Sequence, residues 1–224
     1  MKRHLPNSLT LLNLLSGCLG IYFVFNGELI YASYAIWLAA IFDFLDGFTA
    51  RLLGVASPIG KELDSLADLV TFGVLPAFMM MALISEPDAG LVKFIPLVMA
   101  LFAALRLAKF NVDLSQTSSF LGMPTPAVAF FVSGIPFWLL SNKELFSLPV
   151  VILTSIVLSM LMVVPIRMIA LKFKNYAFLD NWPKYGLLAV GVGLLLVMGP
   201  KSFPITISLY LVLSLLYGNK EAIN

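Results

Sequence analysis

Runs of apolar residues dominate what this chain can fold into. They lie near residues 8–26, 29–50, 63–84, 92–110, 123–140, 147–170, 185–199 and 203–218. A hydrocarbon core of about 30 Å needs roughly 20 such residues to cross as a helix. Backbone polar groups in lipid must be satisfied within the segment, and these runs lack the two-residue alternation of barrel strands, so an all-α integral membrane protein is predicted. The composition agrees: 60% hydrophobic, 12% charged, mean hydropathy +0.98. That balance is foreign to a soluble domain. The gaps are short and carry turn signals at Asn26-Gly27, residues 86–90, Ser141-Asn142-Lys143 and Gly199-Pro200-Lys201. No linker separates two domains, so residues 1–224 read as one membrane domain: six longer spans followed by a shorter C-terminal pair. No small-x-small cleavage site follows the basic start Met1-Lys2-Arg3-His4, and the first run is read as an uncleaved helix.

Charge placement says more than net charge. A formal +2 offers no basic stripe for nucleic acid. With the N-terminus in the cytoplasm, eight spans return the C-terminus to the same side. The cytoplasmic ends then hold Lys2, Arg3, Arg51, Lys61, Arg106, Lys109, Arg167, Lys172, Lys174, Lys184 and Lys220, against Lys93, Lys143 and Lys201 outside, which accounts for all 14 basic residues. This is the positive-inside pattern. Residues 173–185, aromatic among lysines, read as an interfacial segment, with Lys172, Lys174 and Lys184 touching anionic lipid. His4 reads as a solvated terminal residue, Met79-Met80-Met81 as lipid-facing or packing filler, and the single Cys18 as a buried, inert thiol.

Four carboxylates break the apolar background: Asp43, Asp46, Asp64 and Asp68, in or at the ends of two consecutive spans. An ionised Asp at a helix centre costs about 2.5 to 3.5 kcal/mol on insertion scales, and a bound cation is the simplest compensation. Spacings of three and four put each pair on one face of its helix, and a short turn brings the pairs to similar depth. All-oxygen ligands select hard ions, Mg²⁺ or Mn²⁺, the usual partners of phosphates. Four carboxylates also suit two ions clamping a pyrophosphate. Gly47 and Gly60 leave helix backbone open to a nucleotide, and Arg51 is placed for a phosphate or a carboxylate. Asn7, Thr10 and Asn13 share one side of the first helix, either lining a cytidine pocket or bonding between helices. The same carboxylates would serve an ion or proton transporter, although a transporter should spread polar residues toward the far side.

The pattern Asp-x2-Asp-Gly-x2-Ala-Arg-x8-Gly-x3-Asp-x3-Asp, filled by Asp43, Asp46, Gly47, Ala50, Arg51, Gly60, Asp64 and Asp68, resembles the signature of the CDP-alcohol phosphotransferases at every position. That resemblance implies a six-helix core over about residues 5–170 and a catalytic signature at 43–68; the helix pair at about 185–218 rests on hydropathy alone. The resemblance implies a homodimer in a prokaryotic-type plasma membrane, a two-metal site at the cytoplasmic face, a CDP-linked donor and release of CMP. It also implies roles. Asp43, Asp46 and Asp64 are principal metal ligands, and Asp68 ligates the second ion and acts as base. Asn7, Thr10, Asn13, Asp46, Gly47, Ala50, Arg51 and Gly60 meet the donor.

Residues 6–13, 65–77, 105–112 and 120–127 are further similar to the branch of that family that transfers the phosphatidyl group of CDP-diacylglycerol to the hydroxyl of L-serine. This similarity covers about residues 5–135, with Lys109 where arginine is more usual. A zwitterionic acceptor would find a carboxylate partner in Arg106 and Lys109 and hydrogen bonds from Asn111 and Thr71. Glycerol 3-phosphate, giving phosphatidylglycerol phosphate, is the alternative acceptor. It would call for more basic residues than these.

Overall fold

The first helix, α1 (Leu5–Phe25), is built inside out relative to a soluble helix. Its buried positions are Pro6, Thr10, Asn13, Ser16, Gly17, Gly20 and Val24, while Leu11, Leu12, Leu15, Leu19 and Tyr22 are exposed. The buried set steps by three and four, one stripe of a 3.6-residue helix. Small and polar side chains packed inward, with leucines outward, are what lipid selects, because close backbone approach and interhelical hydrogen bonds replace the hydrophobic drive. Cys18 belongs to the outward face and is exposed. This corrects the expectation of a buried thiol.

The computed structural model describes residues 4–55, 57–84, 86, 88–112, 120–169 and 178–218. The expectations placed on Lys2, Arg3, Pro87, Lys172, Lys174, Tyr176 and Lys220 lie outside them. After α1 come α2 (Leu29–Leu53), α3 (Pro58–Ala82), α4 (Gly90–Val112), α5 (Thr125–Leu139), α6 (Leu148–Val163), α7 (Phe178–Met198) and α8 (Ser202–Tyr217). Among the described residues, five helical stretches are long and apolar enough to cross a membrane: α1 to α4, and the run Asn181–Tyr217, made of most of α7 together with α8. That last run reverses. Gly199 takes φ +59° ahead of Pro200, Trp182 meets Tyr217 with ring centroids 5.2 Å apart, and a Cβ on Gly191 would touch Thr206 at 3.1 Å. The chain is an all-α membrane protein, its one strand pair being the two-residue ladder of Phe120–Leu121 (β1) with Arg167–Met168 (β2) among the described residues.

The predicted spans match these helices in position, but the shorter ones are not the C-terminal pair as expected: α7 has 21 residues, against 15 in α5 and 16 in α6. Two boundary shifts are informative. The sixth ends at Val163 rather than near 170, because Pro165 has no amide to donate and Val164 before it is extended at ψ 134°. The seventh begins earlier than expected, at Phe178. Lys184 therefore sits inside a packed helix, 6% exposed, which corrects its assignment to the lipid surface. Met79 and Met80 are buried at 1% and 0% exposure and fill the core beside Phe72 and Leu75.

Two local devices set the depth of the aspartates. Gly54, at φ +63°, ends α2 while Val55 N–H donates to Ala50 O at 3.1 Å and Gly54 N–H to Arg51 O at 3.3 Å. This is a Schellman stop, which needs the left-handed conformation glycine tolerates. Ser57 then caps α3, its Oγ accepting from Gly60 N–H at 3.1 Å, with Pro58 in the first turn. The turn between Leu53 and Pro58 is short, and all four aspartates lie within helix. Below them α3 widens into a π-helical stretch, Leu69–Val74.

Candidate active site

Three of the four aspartates converge. One carboxylate oxygen from each of Asp43, Asp64 and Asp68 lies within 4.8 Å of the others. Asp43 comes from α2 and the other two from successive turns of α3, as their spacing requires. On an octahedral Mg²⁺ with bonds of about 2.0–2.1 Å, ligand oxygens sit about 3 to 4.2 Å apart, so a small side-chain rotation closes the set on one ion. Asp64 Oδ1 is buried without a hydrogen-bond partner. An orphaned carboxylate oxygen beside two other carboxylates is the arrangement a cation satisfies.

Asp46 is held apart from this trio. Its Oδ2 accepts the Thr10 hydroxyl at 2.6 Å, in the short range of charge-assisted bonds, and the two residues are 6% and 2% exposed. The expected four-carboxylate cluster is thus three oxygens plus a neighbour braced by α1. Asn13 continues the same face: its Nδ2 donates to Asp68 Oδ1 at 3.2 Å, while its own Oδ1 is buried without a partner. Asn7 completes the row, since a Cβ on Gly60 would meet Asn7 Oδ1 at 3.2 Å. The polar face of α1 therefore reads the carboxylates of α2 and α3 directly. Around Gly47 the helix is open: a Cβ there would meet only the Arg51 guanidinium, at 3.9 Å. Arg51 itself is exposed, and Ala50 is half-buried beside it.

Of the expected acceptor residues, the structure gathers two beside the aspartates. A cavity of about 340 Å³ is lined by Asp64, Asp68, Arg106, Asn111, Thr125 and Tyr210, among others. Asn111 is braced there by donating to Ser65 Oγ at 2.9 Å, while Lys61 Nζ donates to its carbonyl at 3.1 Å. Lys109 instead lines the adjoining cavity of about 610 Å³, which also includes Arg106. Thr71 lies elsewhere. It is fully buried, donates to Asn13 O at 3.3 Å, and packs so tightly on Gly17 that a Cβ there would collide with it. The π-helical stretch turns it toward α1, so Thr71 joins helices and does not line the cavity.

Thr125 belongs to the Met123-Pro124-Thr125-Pro126 turn, which the sequence offers as a helix start that also shapes the acceptor pocket, and the structure places it in the cavity lining. It is 1% exposed, its Oγ1 has no partner, and it opens α5 where the chain enters the cavity wall. Arg106 Nε is likewise buried and unpartnered. A guanidinium nitrogen and a hydroxyl left unsatisfied in one cavity, next to the first turn of a helix, form an anion-binding arrangement. What the structure adds to the turn is the buried, unpartnered hydroxyl of Thr125.

The model of the CDP-alcohol phosphatidyltransferase family matches residues 3–164. The chain is 38% identical over 125 residues to a Bacillus subtilis protein named CDP-diacylglycerol–serine O-phosphatidyltransferase, an alignment covering 55% of this chain and 70% of that one. Proteins of the same name from Mycobacterium leprae and Methanocaldococcus jannaschii are 40% identical over 139 residues and 38% over 125. These alignments cover 58% and 56% of this chain, and 46% and 56% of those relatives. The chain thus spans about half the length of the latter two.

Proposed function

Because the chain belongs to the CDP-alcohol phosphatidyltransferase family, we propose that it transfers the phosphatidyl group of CDP-diacylglycerol to the hydroxyl of L-serine, forming phosphatidylserine and CMP. The observation that carries this reading is a triad of aspartate oxygens, two of whose residues, Asp64 and Asp68, line a cavity that also holds the unpartnered Nε of Arg106. Relatives that bear the serine transferase name support the acceptor.

The aspartates fit hard divalent cations, and Asp43, Asp64 and Asp68 would hold Mg²⁺ or Mn²⁺, with Asp46 completing a second position. Bound metal would supply charge neutralisation at the pyrophosphate of the donor. The chain's own residues do the remainder. Thr10 orients Asp46 toward the donor, Asn13 fixes the carboxylate of Asp68 through one oxygen, and Asp68 accepts the proton of the serine hydroxyl. The open backbone at Gly47 and the guanidinium of Arg51 receive the cytidine diphosphate. Arg106 and Asn111 hold the acceptor with its hydroxyl near Asp68, and positioning of this kind accounts for much of the rate of a phosphoryl transfer. The serine oxygen attacks the lipid-bearing phosphorus, that phosphorus parts from the bridging oxygen, and CMP leaves with the bond's electrons.

Within the membrane, the basic residues favour a cytoplasmic site and a cytoplasmic N-terminus, and a homodimer is the expected assembly. Glycerol 3-phosphate is the poorer acceptor, because, of the cavity's lining cations Arg106 and Lys61, the second already donates to the Asn111 carbonyl. A transporter is disfavoured because the four aspartates within the spans, Asp43, Asp46, Asp64 and Asp68, cluster at one end of the bundle. The test is direct: purified protein in lipid nanodiscs, labelled CDP-diacylglycerol, Mn²⁺ and a panel of acceptors. Phosphatidylserine with stoichiometric CMP is expected from serine. Product from glycerol 3-phosphate alone, or no CMP from any acceptor, would refute the proposal.

A further inference from the structure

The C-terminal helix pair lies beyond residues 3–164 covered by the family model, and nothing in its sequence announces a role. Its second helix nevertheless reaches the cavity beside the aspartates. Tyr210 of α8 is 7% exposed and lines that space with Asp64, Asp68, Arg106 and Thr125. Its hydroxyl donates to Ile169 O at 3.0 Å. Ile169, itself part of the lining, donates its N–H to Ser214 Oγ at 3.2 Å, one turn further along α8. Two hydrogen bonds from one helix thus clamp both polar groups of a single residue, a buried arrangement that is costly to leave half made.

The rest of α8 and the turn before it are fastened as firmly. Pro204 packs against Gly134 of α5 with no room for a Cβ, Trp138 Nε1 donates to Lys201 O at 2.8 Å, and Gly218 abuts Arg167 O. A helix attached at its start, middle and end is part of the site's wall and is not a peripheral anchor.

Building on the serine reading, we infer that α8 completes the acceptor subsite and that Tyr210 is a positioning residue setting its size. The ring takes up volume that a longer acceptor would need, and the hydroxyl fixes Ile169, the adjoining wall. The subsite would then suit a short hydroxy amino acid and disfavour one with an added methylene.

Steady-state kinetics of the full chain in nanodiscs test this, with serine, homoserine and CDP-diacylglycerol varied in turn. Tyr210→Ala is expected to raise the serine KM about tenfold and to shift preference toward homoserine, with kcat and the CDP-diacylglycerol KM within about twofold. Tyr210→Phe keeps the ring and is expected to raise the serine KM about threefold, which decides the matter if the alanine variant does not fold. The control is Trp182→Leu, which disturbs the same hairpin at its contact with Tyr217; Trp182 is not part of the cavity lining. An unchanged serine KM in Tyr210→Phe, a parallel rise in the CDP-diacylglycerol KM, or an equal effect of Trp182→Leu overturns the inference. Wild-type protein that turns over no serine overturns the functional reading beneath it.

Discussion

Replacing Thr10 by valine removes one hydroxyl and almost no volume. Thr10 and Asp46 are 2% and 6% exposed and share a bond of 2.6 Å, so water cannot readily take the place of the lost donor. Hydrogen bonds to charged groups contribute about 1.5 to 3 kcal/mol. If Thr10 holds Asp46 in the orientation the donor requires, that energy is lost from donor binding. At about 1.4 kcal/mol per tenfold, a loss near 2 kcal/mol corresponds to a rise of about 30-fold in the CDP-diacylglycerol KM. The serine KM should stay within about twofold, because Thr10 lies on α1 away from the acceptor cavity. The assay is initial-rate CMP release at saturating Mn²⁺, each substrate varied at fixed excess of the other, with thermal unfolding of the same preparation as a check on folding. A donor KM unchanged by Thr10→Val in folded protein would refute the role given to the Thr10–Asp46 pair. An equal rise for both substrates would show that the site had collapsed as a whole.

Asp68→Asn is expected to lower kcat by about 10² to 10⁴, the range for loss of a general base, while CDP-diacylglycerol still raises the unfolding temperature; loss of that protection would make Asp68 a donor ligand first. Thr125→Val should raise the serine KM about fivefold with the donor KM unchanged, and Thr125→Ser should restore it. Arg106→Ala should raise the serine KM further still. Gly47→Ala meets only open space and the end of Arg51, so the variant should fold normally yet bind CDP-diacylglycerol more weakly. Gly17→Ala drives a methyl into Thr71 and should lower stability by about 1 to 3 kcal/mol, measured as a fall in unfolding temperature. Chelation by EDTA should abolish CMP release, and added Mg²⁺ or Mn²⁺ should restore it; activity that survives chelation removes the metal from the reaction.

The division between what the sequence reveals and what it conceals tracks the range of the interactions. Asp43, Asp46, Asp64 and Asp68 are legible because helix periodicity and a short turn, both local, put them at one depth, and because charges in an apolar run demand a reason. The separation of Asp46 from the other three was not legible, since it depends on Thr10, 36 residues away. Thr71 misled because ordinary helical spacing would set it one turn beyond Asp68 on the same face, whereas the chain inserts a π-helical stretch over Leu69–Val74 and Thr71 meets Asn13 on α1 instead. Thr125, beyond its place in a turn near the pocket, and Tyr210 are harder still. Each is an ordinary residue in an apolar helix, and only the packing of α4, α5 and α8 around one cavity gives it a task. Alternation explains why that packing reaches the same end of the bundle: with helices running up and down, the starts of α1, α3 and α5 and the finishes of α2, α4 and α8 meet. A chain that adds helices in pairs returns to the end where its carboxylates lie. The added pair could therefore become part of the site without any change to the six-helix core that precedes it.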